Sequence, residues 1–195
     1  MNYEEAYLKT IEKATCNDVC ITGEPYAGKT TLLKACHQEL SANASQLGVL
    51  PVMFRAANAD SGMTLWKQLV RIIHQEATKS AFIMSERKQK RIADYFQKVV
   101  EAQDSNSCIS LLQSYLTVLK NAIDRKIIVF MDDFQNVGTF FTQADYGAIR
   151  QYTDDHIAFF VFASRESYFD LESKCNDAPY YFNAVTTLDL EHPES

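Results

Sequence analysis

The sequence lacks the features that would place it in a membrane or on the secretory route. None of its apolar runs approaches the roughly 20 residues that a membrane-spanning helix needs, so we expect no membrane association. The first ten residues carry Glu4 and Glu5 and have no apolar core. We therefore expect that they are not a secretory signal.

Cysteine pairs with metal-ligand spacing are also missing. The five cysteines are an odd number, form no CxxC motif and have no cluster of histidines beside them. This pattern is typical of reduced, mostly buried thiols in a cytoplasmic protein. Cys16 and Cys20 are close in sequence, but two further zinc ligands are not evident.

Basic residues are in deficit, which bears on nucleic-acid partners. The 195-residue chain has 19 Lys and Arg against 25 Asp and Glu, a net charge of -6. Nucleic-acid binding depends mainly on Lys and Arg contacts with phosphates, so DNA is a possible partner that the charge does not favour. The one basic cluster, Arg87 to Arg91, is interpreted as a solvated helix face.

Glycine is scarce, with 6 residues in the whole chain, yet two of them, Gly23 and Gly28, fall within six residues of each other. They begin and nearly end the segment GEPYAGKT, which matches the phosphate-loop pattern G-x-x-x-x-G-K-[ST]. Glycine conformations let the backbone N–H groups of such a loop point at phosphates, and the helix that follows adds its dipole. We predict that Lys29 contacts the β- and γ-phosphates and that Thr30 ligates Mg²⁺.

The full predicted nucleotide-binding set is the loop and the start of its helix. It comprises Gly23, Glu24, Pro25, Tyr26, Ala27, Gly28, Lys29, Thr30 and Thr31. The alternative interpretation of this segment is a tight turn followed by a surface lysine.

Short apolar strands alternate with helices along the chain. Strands are predicted over 19–22, 49–54, 126–131, 158–163 and 184–190, and helices over 3–15, 30–45, 85–102, 108–123 and 143–152, with a further helix capped by Ser61 or Thr64. Pro51 predicts that the second strand lies at a sheet edge or a strand start. Tyr3, Tyr7, Leu8 and Ile11 are predicted to share one side of the first helix.

Nearly all-apolar strands separated by helices indicate parallel strands buried between two helical layers. The predicted fold class is therefore a three-layer α/β sandwich with a parallel five-stranded sheet. We predict one core domain over 1–195, with a leading helix over 1–15 and a helical segment over 61–124 between the second and third strands.

Paired carboxylates end the third strand, at Asp132 and Asp133. In a phosphate-loop protein this position lies beside the magnesium ion and its waters. We predict that Asp132 holds Mg²⁺ through water and that Asp133 orients or deprotonates the attacking water. The alternative is a pair of turn or helix-capping aspartates.

Ser164 and Arg165 follow the next strand, and an arginine there is expected to point at the γ-phosphate. The alternative is a surface arginine. Arg55 and Asn58, just past the second strand, are further candidates between which the sequence does not choose. The predicted catalytic residues are Lys29, Asp133 and Arg165.

Three blocks, GEPYAGKTTLL, IIVFMDDFQNV and FFVFASRES, resemble the Walker A, Walker B and sensor-1 segments of the AAA+/STAND branch of P-loop ATPases. The resemblance implies a P-loop NTPase sandwich with sheet order 5-1-4-3-2, Asp132 as the Walker B aspartate and Arg165 at the sensor position. It places Asp133 where many members carry a catalytic glutamate. Because aspartate is one methylene shorter, slow hydrolysis and a switch role are expected.

The region from Ser164 to Leu190, with its Pro179-Tyr180-Tyr181-Phe182 run, also resembles the archaeal-type ATPases of this branch. The family normally continues into a helical lid, which nothing after Leu190 supplies. We therefore expect an excised core, a truncated product or a minimal member. No sensor-2 arginine can be assigned, and Arg150 is only a candidate arginine finger.

The expected function is an ATPase switch that uses ATP or ADP with Mg²⁺ and joins a homo-oligomer or a partner protein when nucleotide is bound. ATP is favoured over GTP because no N-K-x-D segment is present. Three alternatives stay open: a nucleotide-binding scaffold without turnover, an ATPase assembling on DNA, and a small-molecule kinase with the Arg87 to Arg91 cluster in its lid.

Overall fold

The computed structural model describes residues 1–56, 59–79, 82, 84–166, 170 and 185–190. Its helices are α1 (Tyr3–Lys13), α2 (Lys29–Ala42), α3 (Ala44–Leu47), α4 (Gly62–Lys79), α5 (Glu86–Glu101), α6 (Ser105–Ile123) and α7 (Gln143–Asp154). Its strands are β1 (Val19–Thr22), β2 (Val49–Arg55), β3 (Lys126–Asp132), β4 (Ala158–Ala163) and β5 (Thr186–Asp189). A 3-10 helix over Phe134–Thr139 follows β3.

The five strands form one parallel sheet in the order β2-β3-β4-β1-β5. This confirms the predicted α/β fold class and the implied order 5-1-4-3-2. Val19 of β1 pairs with Val161 on one side and Thr186 on the other. Pro51 lies in β2, an edge strand, where the missing N–H of proline is tolerated.

Alternation along the strands divides the interior into two cores. On β3, Ile127, Val129 and Met131 pack into one core, whereas Ile128 and Phe130 pack into the other. Helices α4 to α7 contribute side chains to the first core, and α1 and α2 contribute to the second. Because all strands run parallel, their carboxyl ends meet at one edge of the sheet.

A buried carboxylate on α7 forms a hydrogen bond with α4, on the side of the sheet where α4 to α7 pack. Asp145 is 1% exposed and its Oδ1 accepts the indole N–H of Trp66 at 2.7 Å. Its Oδ2 accepts the backbone N–H of Thr142 at 2.9 Å, closing a capping box at the start of α7. A Cβ added to Gly62 would lie 2.6 Å from Asp145 Oδ1, so glycine lets α4 approach closely.

The apolar side predicted for α1 is not buried as a whole, since Leu8 is 61% and Tyr3 is 41% exposed. Ala6 and Thr10 are buried instead. Small side chains at this spacing let α1 pack closely on its neighbour, and the Thr10 hydroxyl is satisfied by the Ala6 carbonyl at 2.8 Å. The apolar periodicity predicted burial of the larger side chains, whereas the residues of α1 that are fully buried are the smaller ones.

Several helix boundaries differ from the prediction by one to three residues, and two of these differences have a clear cause. The helix expected over 30–45 ends at Ala42, and α3 begins a new turn after Asn43. The helix expected from Cys108 begins at Ser105, because Asp104 accepts the backbone N–H of Ser107 as its N-cap.

Other expectations concern parts of the chain that are only partly described. Asn58, Cys175, Ala184 and the Pro179-Tyr180-Tyr181-Phe182 run lie outside the described residues. Among the described cysteines, Cys16 is exposed, and Cys20, Cys36 and Cys108 are buried. Within the described ranges, no helix has both the length and the apolar character needed to cross a membrane.

Candidate nucleotide site

The loop between β1 and α2 has the backbone geometry that a phosphate loop requires. Gly23 has φ +138°, and a Cβ there would lie 2.5 Å from the Leu190 carbonyl oxygen. Gly28 has φ +92° and caps α2. Tyr26 also has a positive φ, 68°, and its side chain is 93% exposed. Residues other than glycine adopt such a φ at a cost in free energy of order 1 kcal/mol or more. The positive φ of Tyr26 therefore marks the loop as a candidate site.

The start of α2, directly after this loop, carries backbone N–H groups and a lysine. Gly28 has no side chain with which to cap this 14-residue helix, so its positive end remains available to an anion. Lys29 is buried, and its Nζ donates to the carbonyls of Gly23 and Glu24 at 2.6 Å each. Burial, and then the charge of Arg165, lower the pKa of Lys29. A phosphate would supply the counter-charge.

The side chains of Thr30 and Asp132 are in hydrogen-bond contact. The Thr30 hydroxyl donates to Asp132 Oδ2 at 3.0 Å and lies 3.2 Å from Oδ1. Hydroxyl and carboxylate oxygens are the ligands that Mg²⁺ prefers. The donor set at this position therefore fits a magnesium ion held with a nucleotide.

Asp133 is held by two arginines. It is 8% exposed and has φ +58°. Its Oδ2 accepts Arg55 Nε at 2.7 Å, and its Oδ1 lies 3.7 Å from Arg165 Nη2. Of the two candidates Arg55 and Asn58, Arg55 is the last residue of β2 and contacts Asp133.

Opposing influences act on the pKa of Asp133. Burial raises it, but the hydrogen bonds from Arg55 and Gln135 and the charges of Arg55 and Arg165 outweigh burial, so the pKa lies below its ordinary value. The carboxyl is therefore ionised near neutral pH. It is a weak base, better suited to orienting a water than to deprotonating one.

Gln135 is a site residue that the sequence analysis missed. Its Oε1 accepts the backbone N–H of Arg165 at 3.1 Å, and its Nε2 donates to Asp133 Oδ1 at 3.4 Å. The available signal was its position two residues after the paired aspartates. Ser164 is buried, and its hydroxyl accepts the Glu166 N–H at 3.1 Å, so it shapes the turn that carries Arg165.

These groups surround a cavity of about 700 Å³, within the usual size range of small-molecule and cofactor sites. Its lining residues are Pro25, Tyr26, Gly28, Lys29, Thr30, Thr31, Lys34, Met53, Phe54, Arg55, Asp132, Asp133, Gln135, Ala163, Ser164 and Arg165. Of the predicted set, Gly23, Glu24 and Ala27 form the loop without lining the cavity.

Two other predicted candidates lie elsewhere. Arg150 is on α7 and pairs with Asp154 at 2.9 Å. The Arg87 to Arg91 cluster is exposed on α5, and neither contributes to the cavity lining.

The comparison with protein families matches residues 5–155 to the AAA ATPase domain. This match covers more than half of the chain. The chain belongs to the AAA ATPase domain family. No curated protein matches it.

Several solved structures have a similar fold. The Aeropyrum pernix ORC2 protein, in ADPNP-ADP complexes, has a TM-score of 0.65 and 15% identity, covering 97% of this chain and 47% of that one. The Aeropyrum pernix ORC1 protein, in complex with DNA, has a TM-score of 0.63 and 14% identity, covering 97% and 44%. AMPPCP-bound DnaA from Aquifex aeolicus has a TM-score of 0.51 and 15% identity, covering 96% and 45%.

This AAA ATPase chain therefore spans less than half the length of these three proteins. At such identities the likeness shows the fold alone, an AAA+ P-loop NTPase core. Assignment to the STAND branch stays a prediction.

Proposed function

We propose that this chain is an ATP-binding and slowly hydrolysing AAA+ core domain, acting as a nucleotide-dependent switch or assembly module. The observation that carries the proposal is the convergence of Lys29, Thr30 and Asp132 on one cavity, at the positive end of α2. This combination supplies a cation, a hydroxyl and a carboxylate where a triphosphate and its metal require them.

Each part of the cavity has a separate role in binding. Lys29 and the N–H groups that follow Gly28 hold phosphates, while Thr30 and Asp132 hold Mg²⁺. When bound, Mg²⁺ neutralises charge on the phosphate oxygens. We expect ATP or ADP as the nucleotide, with the loop from Gly23 to Thr31 around the phosphates.

Hydrolysis in this proposal depends on Asp133, with Lys29 and Arg165 as the catalytic cations. Asp133 orients the attacking water, and the two cations stabilise the negative charge that develops on the phosphate. Turnover is slow because the carboxyl is a weak base whose Oδ2 is already bonded to Arg55.

The switch would act through Arg165. Its guanidinium is near Asp133 Oδ1, and a γ-phosphate offers it a second anion. A change in its position would alter the turn over residues 164–166, and through it the binding of a second copy or a partner protein. A cytoplasmic location stays a prediction.

DNA remains a possible partner in this proposal. The Aeropyrum pernix ORC1 protein was solved in complex with DNA. The net charge of -6 does not favour strong binding of DNA by this chain itself.

A nucleotide-binding scaffold without turnover is the second candidate. The observation that favours it is the short ion pair between Arg55 and Asp133, which occupies a carboxylate that hydrolysis needs. This candidate predicts ATP affinity without phosphate release.

One set of measurements separates the two candidates. Wild type, Asp133→Asn and the control Asp94→Asn, at an exposed position on α5, are compared for MgATP affinity, phosphate release and oligomeric state with ATP and ADP. We expect Asp133→Asn to retain affinity and to lose phosphate release by about a hundredfold.

The outcomes divide cleanly. Wild type that binds ATP without releasing phosphate supports the scaffold candidate. Wild type that binds no nucleotide overturns both.

A further inference from the structure

Gln135 connects the ends of two adjacent strands through a single side-chain amide. Its Oε1 accepts the Arg165 N–H at 3.1 Å, after β4, and its Nε2 donates to Asp133 Oδ1 at 3.4 Å, after β3. An amide can accept from one group and donate to another at the same time. Glutamate of the same length could make only the first of these contacts when ionised.

The short 3-10 helix that carries Gln135 packs on the sheet through the buried side chain of Phe134. Phe134 is fully buried, and its ring centroid lies 4.1 Å from that of Phe162 on β4. This anchor places Gln135 between the two strand ends. Its amide is therefore held at the cavity while its neighbour Phe134 fills the core.

Arg165 reaches Asp133 by two routes that end on the same oxygen. The guanidinium lies 3.7 Å from Asp133 Oδ1, and the backbone N–H acts on Oδ1 through Gln135. From β2, Arg55 holds the other oxygen, Oδ2. A displacement of the Arg165 main chain therefore moves the Gln135 amide, and with it one of the donors that orient the carboxylate.

We propose that Gln135 is a positioning residue that couples the main chain at Arg165 to the orientation of the Asp133 carboxylate. The inference rests on the proposed function, since it assigns Gln135 a part in orienting Asp133 for hydrolysis. Gln135 contacts Asp133 and Arg165 and acts through them.

The first test is a double-mutant cycle on turnover. Gln135→Met keeps the side-chain length and removes both hydrogen bonds. We expect kcat to fall about tenfold and KM to change by less than about twofold, because an orienting contact is lost while phosphate binding is kept. In an Asp133→Asn background, the same substitution changes kcat by less than about twofold. Gln151→Met, at an exposed position on α7, is the matched control.

The second test needs no nucleotide. Hydrogen exchange of the Arg165 amide in the free protein reports its bond to Gln135 Oε1. We expect exchange to become about tenfold faster in Gln135→Met and to stay unchanged in Gln151→Met. In Gln135→Glu the acceptor remains, so the amide stays protected while kcat falls as in Gln135→Met.

Several outcomes overturn the inference. They are an equal loss of kcat in both backgrounds, unchanged exchange of the Arg165 amide in Gln135→Met, and full activity of Gln135→Glu. A wild type that hydrolyses ATP while Gln135→Met is fully active defeats this inference alone. A wild type that does not bind MgATP defeats the proposed function as well.

Discussion

Two carboxylates with little solvent exposure lie in different regions of the molecule and have opposite kinds of partner. Asp145, in the helical layer, is 1% exposed and accepts from the indole of Trp66 and from Thr142. Asp133, at the carboxyl edge of the sheet, is 8% exposed and is paired with Arg55 and Arg165. The side chains of these two arginines are 67% and 66% exposed.

The difference is the one expected between a region that stabilises the fold and the proposed ligand site. The donors of Asp145 are neutral and fixed by helix packing, so they stabilise one arrangement. The two arginines that pair with Asp133 are charged, long and partly solvated, so a phosphate can compete for them at modest cost. The following predictions test whether stability and nucleotide binding divide along this line.

The largest expected effect on stability is at Asp145. Asp145→Ala removes the acceptor of the buried Trp66 N–H and opens the capping box at Thr142. We expect the free energy of unfolding to fall by about 3 kcal/mol, measured by urea denaturation. Asp154→Ala, on the same helix but exposed, is the control and should change it by less than about 0.5 kcal/mol.

For Asp145→Ala the MgATP affinity of the folded fraction should match wild type. A loss of affinity comparable to the loss of stability would show that the two regions are not independent.

A pair of glycines, one in each region, gives the next largest effects. A Cβ at Gly23 meets the Leu190 backbone oxygen at 2.5 Å, and one at Gly62 meets Asp145 Oδ1 at 2.6 Å. We expect Gly23→Ala and Gly62→Ala each to lower the free energy of unfolding by about 2 kcal/mol. Only Gly23→Ala should also weaken MgATP binding, which calorimetry on both variants would measure. Equal affinities would contradict the role of the loop at Gly23.

Local sequence rules predicted the parts of the site whose positions are set by the chain itself. The Gly23 to Thr30 pattern requires a strand before it and a helix after it, and β1 and α2 supply them. The paired aspartates lie at the end of the apolar strand β3, so the strand itself sets their position. The strand order was implied by the family resemblance, and the sheet confirms it.

The remaining contacts depend on neighbours far away in sequence. Arg55 reaches Asp133 because β2 and β3 pair in a register that places Arg55 opposite Asp132, which no local pattern encodes. Gln135 faces the cavity because a 3-10 helix follows β3, an element too short to give a periodic signal. The error at Leu8 arose because α1 buries small residues where periodicity favours large ones.

The smallest expected effect concerns the ion pair of Arg55. The pKa of Asp133 in the folded protein lies below its ordinary value, because hydrogen bonds from Arg55 and Gln135 and the charges of Arg55 and Arg165 outweigh burial. A carboxyl with a lowered pKa stabilises the fold above its unfolded pKa, and this contribution is lost as the pH falls through the folded pKa. Arg55→Ala should therefore lower the free energy of unfolding at pH 7 only slightly, because an ion pair with a solvent-exposed arginine contributes little to stability.

The difference between Arg55→Ala and wild type should shrink as the pH falls through the lowered pKa of Asp133. Urea denaturation at several pH values measures it, with Arg71→Ala, at an exposed position on α4, as the control. A difference that grows towards low pH would contradict the ion-pair account.

In the proposed function, the cavity at the carboxyl edge of the sheet binds a nucleotide through Lys29. Calorimetric titration of MgATP into wild type, Lys29→Ala and the control Lys79→Ala, exposed on α4, tests it most directly. We expect Lys29→Ala to lose at least about a hundredfold in affinity, or roughly 2.7 kcal/mol, while Lys79→Ala binds as wild type does. Equal affinity of wild type and Lys29→Ala, or no binding by wild type, would contradict it.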